Sequence, residues 1–223
     1  MATLWRVISS SVGTKILLAL SGLALAAYLV LHLIGNAFLI IGPDSLNEWG
    51  HMLITNPLVI PAEIGLLVIF LIHVYKAVVN WWSNRQARPV GYAQKKWAGH
   101  TSRKSVASAT MIWTGAIMAV FVVYHVVTFK YGPYYEVPGT EVRDLARMVF
   151  EAFSQPLIMG FYVAVMVLIG FHLRHGISSA FQSLGADGPR FTPAIRLIGY
   201  LLAVVLAAGF AFIPIWAFFF RQA

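Results

Sequence analysis

Residues 16–41 read ILLALSGLALAAYLVLHLIGNAFLII, an unbroken apolar run with one basic residue, His32, and no acidic one. As a helix it is long enough to cross about 30 Å of hydrocarbon, and it holds an ionisable ring at a depth where such groups are costly. Further apolar stretches follow at 57–82, 105–129, 154–177 and 194–220, and three of them carry a deeply placed histidine in the same way: His73, His125 and His172. The expected fold is all-α: a polytopic membrane protein of five transmembrane helices. The first four form a bundle, and residues 1–223 make a single membrane domain.

The depths of the four histidines carry the functional reading. Because the chain reverses at each loop, His32 and His125 come late in outward runs, whereas His73 and His172 come late in inward runs. With inner helix ends near 16, 82, 105 and 178 and a rise of ~1.5 Å per residue, His32 and His125 lie roughly 24–30 Å up and His73 and His172 roughly 9–14 Å. In an up-and-down bundle ordered around a square, helices one and three are diagonal, as are two and four. Each layer then holds two imidazoles facing each other across the axis, which is a site for a hexacoordinate haem. Two layers make a pair of haems. A single intramembrane histidine more often serves a cross-helix hydrogen bond or a proton path; the paired depths are what favour ligation. Gly22, Gly35, Gly65 and Gly170 would let a flat macrocycle approach the backbone, although glycine also serves plain helix contacts.

Composition agrees with the membrane assignment. Of 223 residues, 59% are hydrophobic and 11% charged, so no separate globular domain fits beside the spans. The segment Met1–Lys15 with the apolar run after it imitates a signal peptide, but that run continues well past a typical signal core and reads as a retained helix. With no cysteine, the chain offers no disulfide, iron–sulfur ligand or thiolate, so a metal would rest on histidine or oxygen. No phosphate loop, nucleophile motif or nucleic-acid module is present.

The net charge of +8 is concentrated on one side. Arg6, Lys15, Lys76, Arg85, Arg88, Lys95, Lys96, Arg103, Lys104, Arg174, Arg190 and Arg196 flank one set of helix ends. The opposite loops carry Asp44, Glu48, Glu136, Glu141, Asp144 and Glu151, with Lys130, Arg143 and Arg147. The positive-inside rule therefore places the N-terminus in the cytoplasm and the C-terminus, with Arg221, outside. The basic inner face suits anionic lipid and equally a soluble partner subunit. Interleaving with the spans argues against nucleic acid.

Three other histidines differ in setting. His51 and His100 fall in loops. His175 lies three residues after His172 on the same helical face, at the inner boundary beside Arg174 and Gly176, whereas the deeper His172 lies between Phe171 and Leu173. His172 is the preferred ligand, and His175 an interfacial or propionate partner. Lys76 and Arg174 are placed to neutralise inner-haem propionates or to snorkel to the inner surface.

These residues resemble the single-chain dihaem cytochrome b anchors of succinate:quinone oxidoreductases, the b558-type subunit of succinate dehydrogenase and fumarate reductase. The likeness runs through most of the chain: Ser11-x-Gly13-x-Lys15, Ser21-Gly22, His32-Leu33-x-Gly35-Asn36, Ala87-Arg88-Pro89-x-x-Tyr92, Ser102-Arg103 and, most specifically, His172-Leu173-x-His175-Gly176-x-x-Ser179-Ala180-Phe181-Gln182-Ser183-Leu184-Gly185. The resemblance implies two b haems, separate flavoprotein and iron–sulfur subunits, and a location in the cytoplasmic membrane. It also implies His172 as the ligand on helix four, and menaquinone ahead of ubiquinone. The residues themselves separate neither the two quinones nor succinate oxidation from fumarate reduction.

On this reading electrons pass from the partner subunits to an inner haem on His73 and His172, then to an outer haem on His32 and His125. Quinone reaction is expected near the outer haem with Glu63 assisting protonation; Ser102 and Arg103 are the competing inner location. Two other functions remain open: the dihaem b subunit of a different quinone-linked enzyme, and a haem-free transporter using the histidines as a proton relay.

Overall fold

The computed structural model describes residues 2–87, 106–186 and 188–220. Among these, helices account for all regular structure, and one isolated bridge pairs Glu136 with Arg143. The helices are α1 (Ala2–Ser9), α2 (Ser11–Ile41), α3 (Pro43–Ile54), α4 (Val59–Gln86), α5 (Val106–Ala109), α6 (Met111–Phe129), α7 (Leu145–Phe153), α8 (Pro156–Ser183) and α9 (Thr192–Phe219). Five of them, α2, α4, α6, α8 and α9, are long and apolar enough to cross a membrane. "Inner" and "outer" below follow the orientation expected from the charges.

Helix α2 packs against α4 and α8, and α6 packs against α8 and more loosely against α4, so the four histidine-bearing helices form a ring. Helix α9 lies outside that ring along α8 and reaches α2. The tightest core lies in this second seam, where Leu39, Val165, Ile169, Ala203 and Leu206 are buried together. Small residues set the approach there: a Cβ on Gly170 would stand 3.0 Å from Ala207 Cβ. The outward faces are apolar and bare, with Leu31 66% and Leu157 87% exposed, a surface that lipid covers at low cost.

Several boundaries differ from the sequence expectation. Helix α8 runs to Ser183 rather than 177, because Ile177 and Ala180 stay buried beyond the charged turn at Arg174. The third stretch is interrupted at Thr110, whose hydroxyl donates back to the Val106 carbonyl at 2.9 Å, so a four-residue turn precedes α6. The outer connections, expected as loops, fold into α3 and α7. Pro43 occupies the first turn of α3, with Asp44 beside it. At α7 the Asp144 carboxylate accepts from Arg147 N at 3.0 Å and caps the helix. Both helices are too short to span; each is a local amphipathic segment whose apolar side covers the bundle end.

Asn47 joins these two short helices. Its Nδ2 donates to Asp144 Oδ1 at 3.0 Å and its Oδ1 accepts from Ala146 N at 2.9 Å, all buried or partly so. Gly50 lets Leu145 come close, and Gly35 of α2 does the same for the Trp49 indole. Alanine at Asn47 leaves the buried Ala146 N–H without its acceptor, and a loss of about 1–3 kcal/mol is expected. Thermal unfolding in detergent should show the fall; an unchanged midpoint would mean that water replaces the amide.

Outer charges are organised by the same cap. Arg143 donates to the carbonyls of Phe129, Lys130 and Pro133 at 3.3–3.4 Å, placing its charge at the C-terminal end of α6. Arg147 stacks over the Tyr135 ring at 4.1 Å and pairs with Glu151, which also accepts from the Tyr135 hydroxyl at 2.6 Å. The Tyr135 and Arg147 hydrogen bonds hold the Glu151 carboxyl below its ordinary range.

Candidate functional site

The ring of helices brings the four histidines into two layers. In the outer layer the His32 and His125 rings lie 5.8 Å apart, centroid to centroid, with planes at 86°. Rings this close could both be held by a single metal ion. In the inner layer His73 and His172 come from the diagonal helices α4 and α8, and His175 lies one turn beyond His172. Each inner ring is also held from a neighbouring helix: His73 Nδ1 is 3.2 Å from Ser21 Oγ, and His172 Nδ1 is 3.1 Å from Thr114 Oγ1. Ser21 and Thr114 each precede an outer histidine of their own helix, His32 and His125, by eleven residues. Three helical turns at ~1.5 Å per residue put the layers ~16 Å apart.

The surroundings of the layers differ. The outer pair is bordered by aromatic rings: Tyr28 stacks on His32 at 5.5 Å, Phe210 of α9 lies 5.6 Å from it, and Phe121, Phe129 and Tyr162 surround His125 at 5.2–6.0 Å. The inner pair is bordered by glycine. A Cβ on Gly22 would stand 3.0 Å from His73 Cε1, and one on Gly115 3.4 Å from His172 Cε1. Of the four glycines singled out in the sequence, then, Gly22 adjoins a histidine. Gly35 and Gly170 instead admit Trp49 and Ala207, so they serve helix packing, and Gly65 meets nothing within 4 Å.

Among the described residues no three His, Cys, Asp or Glu side chains converge in a way that would hold a bare metal ion. Donors in opposed pairs, rather than in threes and fours, fit an iron whose remaining ligands belong to a macrocycle. The outer pair, 5.8 Å apart, is a donor set of this kind, and the inner level supplies the same two residue types from diagonal helices.

The other anticipated residues sit as follows. Lys76 is buried, 8% exposed, and its Nζ donates to the Ile8 carbonyl at 3.0 Å, tying α1 beneath the bundle instead of reaching the inner surface. Arg174 lies over the Tyr200 ring of α9 at 5.6 Å. His175 is partly buried one turn beyond His172. Glu63 is at the outer end of α4 and forms an ion pair with Lys130 at the end of α6. Tyr28 lies within electrostatic range of Glu63, so the pair adjoins the outer layer. His51 is in α3, not in a loop. Ser102, Arg103, Arg88, Lys95, Lys96, His100 and Lys104 lie outside the described residues.

Residues that sequence reasoning missed are the partners of the rings: Thr114, Gly115, Tyr162 and Phe210, with Ser21 noticed only as part of a motif. A signal was available. Helices α2 and α6 share a hydroxyl residue, a glycine and, eleven positions after the hydroxyl, a histidine: Ser21-Gly22 with His32 and Thr114-Gly115 with His125.

Among the described residues, fold and site together define an all-helical arrangement with five helices long and apolar enough to cross a membrane and histidines at two levels of one bundle. Over 193 residues, 86% of this chain and 87% of the other, it is 24% identical to the succinate dehydrogenase cytochrome b558 subunit of Bacillus subtilis (strain 168). No protein-family model matches the chain, and no solved structure does.

Proposed function

We propose that this chain is the dihaem cytochrome b membrane anchor of a succinate:quinone oxidoreductase, carrying electrons between an iron–sulfur partner and quinone in the membrane. The observation that supports it best is the two histidine pairs, one per level, each drawn from diagonal helices of one bundle. The likeness to a succinate dehydrogenase cytochrome b subunit along most of both chains points to the same enzyme class ahead of other quinone-linked complexes. Its printed name also favours the b558 type, while menaquinone ahead of ubiquinone rests on the resemblance of the sequence motifs alone.

His73 and His172 would hold the inner haem, His32 and His125 the outer one, and bound haem supplies one-electron redox chemistry. The chain's own contribution is orientation and dielectric. The four-helix ring keeps each imidazole pair opposed, the aromatic border of the outer layer keeps water from it, and the hydroxyls of Ser21 and Thr114 orient the inner pair. The basic inner helix ends, including Arg85 and Arg190, offer a docking face for the iron–sulfur subunit, with the flavoprotein beyond it and succinate or fumarate reacting on the cytoplasmic side. Glu63 at the outer end is the residue assigned to quinone protonation; Ser102 and Arg103 remain the competing place.

Purified complex should contain two b haems per chain by pyridine haemochrome assay, with low-spin bis-histidine spectra. A value below about one per chain sinks the reading and leaves a haem-free transporter as the better account; a value near one leaves a single layer.

A further inference from the structure

Ser21 and Thr114 are both buried, and each has one hydroxyl proton to give. Ser21 Oγ donates to the Leu17 carbonyl at 2.7 Å, with Leu18 O at 3.2 Å. Thr114 Oγ1 donates to its own helix as well, with Thr110 O and Met111 O both at 3.1 Å. Each hydroxyl thus has an acceptor for its proton within its own helix, and with the proton placed there a lone pair faces the imidazole. In that arrangement the rings donate in the contacts His73 Nδ1 to Ser21 Oγ and His172 Nδ1 to Thr114 Oγ1, and the Leu18 carbonyl is a second acceptor beside His73. Both inner imidazoles would then carry the proton on Nδ1 and the lone pair on Nε2. Gly22 and Gly115, next in sequence, leave the space into which the rings fit; any side chain at 22 would press on His73 Cε1.

The outer layer has no such arrangement. His125 Nδ1 faces the Tyr162 phenol at 3.4 Å, a group that donates as readily as it accepts. Asn36 Nδ2 donates to the His32 carbonyl at 2.8 Å and lies about equally far from both ring nitrogens of His32, 3.5 Å from Nδ1 and 3.4 Å from Nε2, so it selects neither. The lock is confined to the inner level.

We infer that Ser21 and Thr114 are positioning residues that hold His73 and His172 in the Nδ1–H tautomer and thereby set the affinity and reduction potential of the inner haem, but not of the outer one. The inference rests on the dihaem reading and deepens it. An imidazole that donates from Nδ1 is the more electron-rich at Nε2, so it stabilises ferric iron and lowers the potential. Removing the acceptor acts in the opposite sense.

The test uses the whole purified complex carrying Ser21→Ala, Thr114→Val and Thr114→Ser, with His73→Ala marking which spectral signal belongs to the inner haem. Readouts are haem content after detergent washing, the low-spin EPR signal of each haem and a redox titration resolving the two; none needs quinone turnover. Ser21→Ala and Thr114→Val should weaken inner-haem binding by about 10- to 100-fold, raise the potential of the inner haem that remains and shift its EPR signal, with the outer haem unmoved. Thr114→Ser should match the parent. Unchanged inner signals in both alanine and valine variants overturn the inference, as does Thr114→Ser behaving like Thr114→Val, which would assign the effect to the methyl group. Equal shifts of both haems also overturn it. A parent complex free of haem overturns the dihaem reading first, and this inference with it.

Discussion

Alanine at His73 and alanine at His172 should each remove the same haem, the inner one, and leave a single haem per chain. His32→Ala and His125→Ala should each remove the outer one. The members of a pair share a phenotype because one imidazole cannot keep a six-coordinate iron, and they come from different helices, so loss of one helix's fold cannot explain the match. Reduced-minus-oxidised spectra with haemochrome quantitation read the result directly. His172 and His175 are the discriminating case. Sequence spacing allows either, but the Thr114 hydroxyl and the Gly115 gap address His172. His175→Ala should keep both haems; if it loses one while His172→Ala keeps two, the assignment on α8 is wrong.

Glutamine at Glu63 should slow quinone turnover by about 10²-fold or more, the usual scale for losing a positioned proton donor, while both haems stay bound and reducible by succinate through the partner subunits. The carboxylate has a defined neighbour that the sequence did not pair with it, Lys130. An ion pair exposed at the membrane boundary adds little stability, so Lys130→Gln separates two explanations. If the carboxylate itself relays the proton, Lys130→Gln should cost much less than Glu63→Gln. Equal losses would mean that the pair serves only to tie α4 to α6. Unchanged turnover in Glu63→Gln, or a quinone bound beside Ser102 and Arg103, removes the outer site.

The inner and outer levels also divide the structural roles of the helices. Helices α2 and α6 each contribute an outer histidine and, three turns below it, the hydroxyl that holds an inner one. Helix α8 contributes His172 and, ten residues earlier, the Tyr162 phenol beside His125. Helix α4 carries His73 at the inner level and Glu63 at its outer end, so each long helix of this ring reaches both layers. Helix α9 carries no histidine, yet Phe210 closes one side of His32 and Gly209 lets Leu33 approach. An account that treats the fifth helix as a bare anchor leaves out part of the outer site.

What the sequence alone determined is what hydropathy and rise per residue encode. Five spans follow from apolar length, and the two levels follow from counting residues along helices that must alternate in direction, because depth is a one-dimensional quantity. The ring order needed only short connections. Rotation of each helix about its own axis is different: it is set by packing against neighbours, and a nearly uniform apolar surface such as that of α4 or α6 gives little sign of it. Only the tertiary structure therefore decided that Gly22 adjoins a histidine while Gly35 and Gly170 receive Trp49 and Ala207. The same holds for Lys76 turning to the Ile8 carbonyl, and for Glu63 meeting Lys130. The outer connections became helices for a related reason: Leu46, Asn47, Val149 and Phe153 acquire a buried side only once the bundle end exists to cover them. The hydroxyls of Ser21 and Thr114 stand between the two cases. Their spacing from His32 and His125 was written in the chain, but that they face His73 and His172 depends on two helices lying beside each other, which no single helix's sequence can specify.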